Sequence, residues 1–164
     1  MLSIVRRGSI FDSECETLVC PVNCVGIMGK GLALSFKMLF PNMFRYYKSL
    51  CTSNILKAGK PAPFIRSDKP NILLFPTKNH WKDPSNLEWI TLGLKKLSKP
   101  YPEWHTGFNI DSKRKSEYFF LKSVAFPALG CGCGGLSWDV VKPVMLNYLR
   151  PAKVDIEIYA PYGR

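Results

Sequence analysis

The amino-acid sequence predicts an α/β fold, and two observations point to it. Strand-like and helix-like segments alternate along the chain, the pattern of a sheet covered by helices. Two glycine-rich loops, VGIMGKG and GCGCGGL, each leave an apolar strand-like run and open a helix-like one. A length of 164 residues suits a single domain around one core.

Taken in order, residues 2–6 and 18–22 are short, apolar and rich in β-branched side chains, as buried strands are. A helix is expected over 32–39, opened by the turn at Gly29 and Gly31 and stopped by Pro41, with a second over 43–51. Strands are expected at 64–65 and 72–75, joined by a turn over 67–70. Leu87, Ile90, Leu94 and Leu97 recur at helical spacing, and Ser85 is the expected cap of that helix. A strand over 123–126 ends at Pro127. Val140, Val141, Val144, Leu146 and Leu149 mark another helix, and 154–159 a last strand. Residues 101–117 show no period and form an expected surface excursion. Its basic cluster, Lys113, Arg114 and Lys115, is a candidate nucleic-acid contact.

Twenty-three Lys and Arg against twelve Asp and Glu give a net charge of +11, which attracts polyanions. The hydrophobic fraction of 46% is ordinary for a soluble protein. No apolar run reaches the length of a membrane span, and the N-terminus shows no signal-peptide core, so a cytoplasmic protein without membrane contact is expected. The six cysteines, Cys15, Cys20, Cys24, Cys51, Cys131 and Cys133, lack paired spacing and read as reduced thiols. Neither a metal nor a cofactor is expected.

The first glycine loop is built for a phosphate, but not in either familiar register. A Walker A loop needs glycine where Cys24 stands and Ser or Thr where Gly31 stands. Gly26, Gly29 and Gly31 run as GxxGxG, the reverse of the dinucleotide fingerprint. What remains is general physics: glycines let backbone N–H groups face an anion, and a helix N-terminus adds a favourable dipole. A second such loop at another strand end could clamp a diphosphate from the opposite side.

VNCVGIMGKGLALSFK, FPTKNHW and PALGCGCGGLSW, in this order, resemble the macrodomain family, specifically its DarG branch. DarG proteins are antitoxins that remove ADP-ribose from DNA after the toxin DarT has attached it. The resemblance runs from the first strand to the closing IEIYAP. It implies a three-layer α/β/α macrodomain with a mixed central sheet over 1–164.

It further implies that Val25, Gly26, Ile27, Met28, Gly29, Lys30 and Gly31 hold the diphosphate and distal ribose together with Gly130, Cys131, Gly132, Cys133, Gly134, Gly135 and Leu136. Asn23 matches the asparagine that hydrogen-bonds this ribose, and Lys78 the lysine to which catalysis is assigned. As an amine Lys78 could open the ribose; as an ammonium it could stabilise the departing base. Thr77 belongs to the implied ADP-ribose set, and His80 and Trp81 shape the pocket or stack a base. Ser9 and Ile10 complete the ADP-ribose set, although Gly8-Ser9 stands where macrodomains commonly carry Gly-Asp for the adenine amine. A neutral hydroxyl makes a weaker bond there. Gly134 stands where a vertebrate relative carries an aspartate, as in the DarG branch. The implied partners are ADP-ribose, ADP-ribosylated single-stranded DNA and a DarT-like toxin, with the protein acting as a monomer. The same residues also fit a hydrolase of ADP-ribosylated protein or O-acetyl-ADP-ribose, or a non-catalytic reader.

Overall fold

The computed structural model describes residues 1–98 and 122–162. The excursion expected over 101–117, with Lys113, Arg114 and Lys115, lies outside the described residues. Strands β1 (Leu2–Val5), β2 (Thr17–Val22), β3 (Ala62–Phe64), β4 (Asn71–Pro76), β5 (Ser123–Pro127) and β6 (Asp155–Tyr159) form one sheet in the order β1-β6-β5-β2-β4-β3. Neighbours run parallel, except that β3 is antiparallel to β4, so the sheet is mixed. Helices α1 (Gly31–Leu39), α2 (Pro41–Thr52), α3 (Leu87–Ser98) and α4 (Trp138–Leu149) complete the order of elements.

The continuous apolar runs of β2 and β4 exist because both faces of the sheet are covered. Leu18, Cys20 and Val22 of β2 and Ile72 and Leu74 of β4 pack with Phe36 of α1 and Met43, Tyr47 and Leu50 of α2. The alternate residues, Val19, Leu73 and Phe75, join Val124 and Phe126 of β5. They meet Ile90 and Leu94 of α3 and Val141, Met145 and Leu149 of α4. Burying one such side chain contributes about 1.5–3 kcal/mol, so the strand centres are the firmest part of the molecule. The expected α/β/α layering is the observed one.

Most expected elements are present with shifted ends. Helix α2 starts at Pro41, two positions before its expected start, since proline at the first helical position needs no N–H partner. The expected Ser85 cap of α3 is corrected: the Asn86 side chain accepts from Glu88 N at 2.9 Å. Ser85 is buried instead, its hydroxyl 3.0 Å from Thr77 Oγ1. An unexpected 3-10 turn at Ile10–Asp12 follows β1, with Ser9 Oγ accepting from Phe11 N at 3.2 Å.

Candidate functional site

β1, β2, β4 and β5 end at the same edge of the sheet, and each candidate ADP-ribose residue follows one of those ends. From β2 the chain travels outward to β3 and β4, then returns across the sheet to β5. Strands β2 and β5 are therefore neighbours at a topological switch point, where open α/β sheets bind ligands. Their pairing is brief, Thr17 with Val124 and Leu18 with Ala125. β2 continues to Val22 and β5 to Pro127 beyond that register, and the space between these two ends is the candidate cleft.

The two glycine loops flank this cleft and touch. A Cβ on Gly31 would lie 3.4 Å from Cys133 Sγ. Gly31 has φ of +56° and opens α1, where Lys30 occupies the cap position without a side-chain hydrogen bond. The first-turn N–H groups of α1 are thereby left for an external acceptor. In the second loop, Leu136 N donates to Gly130 O at 2.8 Å and Gly135 N to Gly132 O at 3.1 Å, closing a tight backbone ring.

Asn23 is 5% exposed and shapes the first loop from inside. Its Nδ2 donates to Ile27 O at 2.8 Å, and its Oδ1 accepts from Val25 N at 3.1 Å. The hydroxyl of Tyr47, from α2, lies 2.6 Å from the same Oδ1. Burial raises the Tyr47 pKa, so the phenol stays protonated and a donor. Sequence reasoning missed Tyr47: it sits 24 positions from Asn23, and no local pattern marks the pairing.

The Lys78 loop is sewn to the first glycine loop. Thr77 N donates to Val22 O at 3.0 Å and Cys24 N to Asn79 O at 2.8 Å, extending the β2–β4 ladder past both strands. Lys78 is half-buried, and its Nζ donates to Trp81 O at 3.4 Å. His80 Nδ1 accepts from Lys82 N at 3.1 Å, and the His80 and Trp81 rings lie 5.4 Å apart at 30°. Ser85, also missed as a site builder, ties this loop to the second glycine loop through Ser85 N to Gly134 O at 2.9 Å. Position 134 has no room for a side chain, since a Cβ would run into Ser85 and stand 2.6 Å from Gly130 O.

The candidate residues thus divide by exposure. Gly29, Lys30, Gly31, Gly132, Cys133 and Gly135 are exposed around the cleft, with Ser9, Val25, Ile27 and Trp81. Ile10 and Met28 are buried in the core on the α1–α2 side, and Thr77 is 2% exposed with its hydroxyl held by Ser85. Among the described residues, no group of three or more His, Cys, Asp or Glu side chains gathers as a metal site would.

The Macro domain family model matches residues 19–145, across both glycine loops and the Lys78 loop. The chain belongs to the macrodomain family. Its similarity to DarG proteins spans nearly its whole length. It is 38% identical over 162 residues to the DNA ADP-ribosyl glycohydrolase of Mycobacterium tuberculosis, covering 95% of this chain and 41% of that protein. The solved macrodomain of Mycobacterium tuberculosis DarG is 34% identical, with a TM-score of 0.81 and 98% of each chain covered. Thermosipho africanus DarTG, solved in complex with ADP-ribose, is 36% identical with a TM-score of 0.84, covering 99% of this chain and 42% of that one. This macrodomain therefore spans about two fifths of the curated relatives it matches. Among its described residues no helix is long and apolar enough to cross a membrane.

Proposed function

We propose that this macrodomain is an ADP-ribosyl glycohydrolase that removes ADP-ribose from a modified DNA base. The relatives named as DNA ADP-ribosyl glycohydrolases support the reaction. The Cys24–Asn79 hydrogen bond of 2.8 Å supports the site most directly, because it fixes the Lys78 loop against the loop that would grip the diphosphate. ADP-ribose lies across the cleft, its diphosphate on the backbone N–H groups of both glycine loops and the first turn of α1. Asn23 acts chiefly by holding the first loop in shape. Its second amide hydrogen remains for a ribose hydroxyl.

Lys78 stands beside the sugar bond to be cut. The bond between ribose C1 and the base nitrogen breaks, its electron pair leaves with the base, and water supplies a hydroxyl to C1 and a proton to the base. Gly134 leaves no space for an acidic side chain, so a base whose nitrogen anion is delocalised by neighbouring carbonyls suits this site better than a poorer leaving group. An amine at position 78 can open the ribose and form an imine, whereas an ammonium stabilises the leaving base. Borohydride with ADP-ribose separates the two: a mass increase on Lys78 marks the imine, and its absence marks the ammonium role.

The substrate strand is single-stranded, the macrodomain acts as a monomer in the cytoplasm, and a DarT-like enzyme supplies the adduct. Release assays run side by side on an ADP-ribosylated DNA oligonucleotide and an ADP-ribosylated protein test this reading. Release from the oligonucleotide should be far faster. Faster release from the protein would reassign the substrate.

A further inference from the structure

The outer rim of the cleft carries lysines that the ADP-ribose site does not use. Lys48 of α2 packs under the first glycine loop, its Cγ 3.5 Å from where a Gly26 Cβ would stand. The Lys57 ammonium acts electrostatically on Cys24, and its Nζ donates to the neutral Asn54 side chain at 2.6 Å. Lys82 Nζ lies 5.2 Å from the centre of the Trp81 ring. None of these three lysines forms an ion pair with a carboxylate among the described residues, where the salt bridge is that of the Met1 amine with Asp155. Asp83 follows Lys82 and is exposed, its backbone N–H held by His80 O.

Apolar surface accompanies the charge. Trp81 is 46% exposed, and Val25 and Ile27 are 44% and 46% exposed. The Cys24–Asn79 bond makes the two loops one continuous rim. Lys48 and Lys57 lie beside the first glycine loop, and Lys82 beside the Trp81 ring of the loop joined to it. The rim thus offers cations without a carboxylate partner among the described residues, together with an exposed aromatic ring, as a polynucleotide with an unstacked base requires. An acidic peptide would need the cations but no ring. A duplex would keep its bases stacked away from Trp81.

We infer that this rim is a single-strand track: Lys48, Lys57 and Lys82 neutralise phosphates of the strand carrying the adduct, and one of its bases stacks on Trp81. The inference rests on the proposed DNA substrate and extends it to the strand beyond the modified nucleotide. The Lys78 Nζ bond to Trp81 O means that a base seated on Trp81 bears directly on the loop holding the amine.

Fluorescence anisotropy with an unmodified single-stranded oligonucleotide tests the track without any turnover. The slope of log affinity against log salt should flatten by about 2 in the K48A/K57A/K82A variant, since each neutralised phosphate of a single strand contributes roughly 0.7. Trp81→Ala should weaken binding about tenfold, with Trp81→Phe recovering most of the loss. An unchanged slope and affinity in the lysine variant overturns the track, as does tighter binding of the matching duplex or an equal loss for an acidic peptide. Release assays then distinguish the track from the activity. The K48A/K57A variant should lose rate on an ADP-ribosylated oligonucleotide at low substrate and keep it on the ADP-ribosylated nucleoside. Equal losses on both would assign those lysines to ADP-ribose itself. A wild-type protein that binds the oligonucleotide with the expected slope yet releases nothing would retain the track and sink the hydrolase reading.

Discussion

Two glycines of one loop illustrate how a residue can serve the fold or the ligand. Gly31 has a left-handed φ of +56° and stands against Cys133, so the backbone itself demands glycine. Gly29 lies outside the left-handed region, and a Cβ there would meet Ile27 Cγ2 at a comfortable 3.8 Å. Nothing in the protein forbids a side chain at Gly29; a diphosphate would. Gly29→Val should therefore leave the melting temperature within a few degrees, on the order of what a sub-kcal/mol change produces, while calorimetry shows ADP-ribose binding lost. Unchanged affinity would remove Gly29 from the phosphate contacts. At Asn23 the hydrogen bonds within the protein, unlike the residue type, were not legible. A sequence displays an amide that could meet a ribose; Tyr47 brings out that its oxygen holds the loop.

At the level of elements, the second glycine loop is fixed by its fit to Ser85. Gly134→Ala would push a Cβ to within 2.6 Å of Gly130 O and 2.8 Å of Ser85 Cβ. Overpacking of this kind costs about 1–3 kcal/mol, readable as a lower denaturation midpoint at constant slope. A midpoint at the parent value would mean that the loop yields freely, and that a carboxylate could be accommodated there. Strands β2 and β4 were readable because burial on both faces imposes an uninterrupted apolar run. The cap of α3 was not: Ser85 and Asn86 are both good capping types, and only the fit of Ser85 beneath Gly130 and Gly134 decides between them. The turn at Ile10–Asp12 was missed for a related reason, since one turn of helix carries no periodicity to read.

For the whole molecule, partly buried acids set a one-sided pH response. Burial, then the Cys51 thiol, pushes the Cys24 pKa from 9.0 up to about 11, against the pull of Lys57. Burial raises Tyr46 and Tyr159 from 10.0 to about 12, with Glu157 adding to the rise at Tyr159. Each folded value exceeds the unfolded one, so the unfolded chain sheds these protons first. Stability from these groups is fully present below pH 9.0 and falls as pH climbs through about 11 to 12. Melting temperature against pH should decline across that window; a rise would contradict the burial of these groups. The fold and the family were legible from three glycine and lysine motifs. What joins them was not, because the bonds among Cys24, Asn79, Ser85 and Gly134 are formed by backbone atoms that every residue shares.

The central claim is that two backbone loops hold ADP-ribose while one amine assists the cut. Single-turnover release from an ADP-ribosylated oligonucleotide by Lys78→Ala, with ADP-ribose affinity measured on the same preparation, tests it most directly. Release should vanish while affinity stays close to that of the parent. Release at the parent rate would contradict the account.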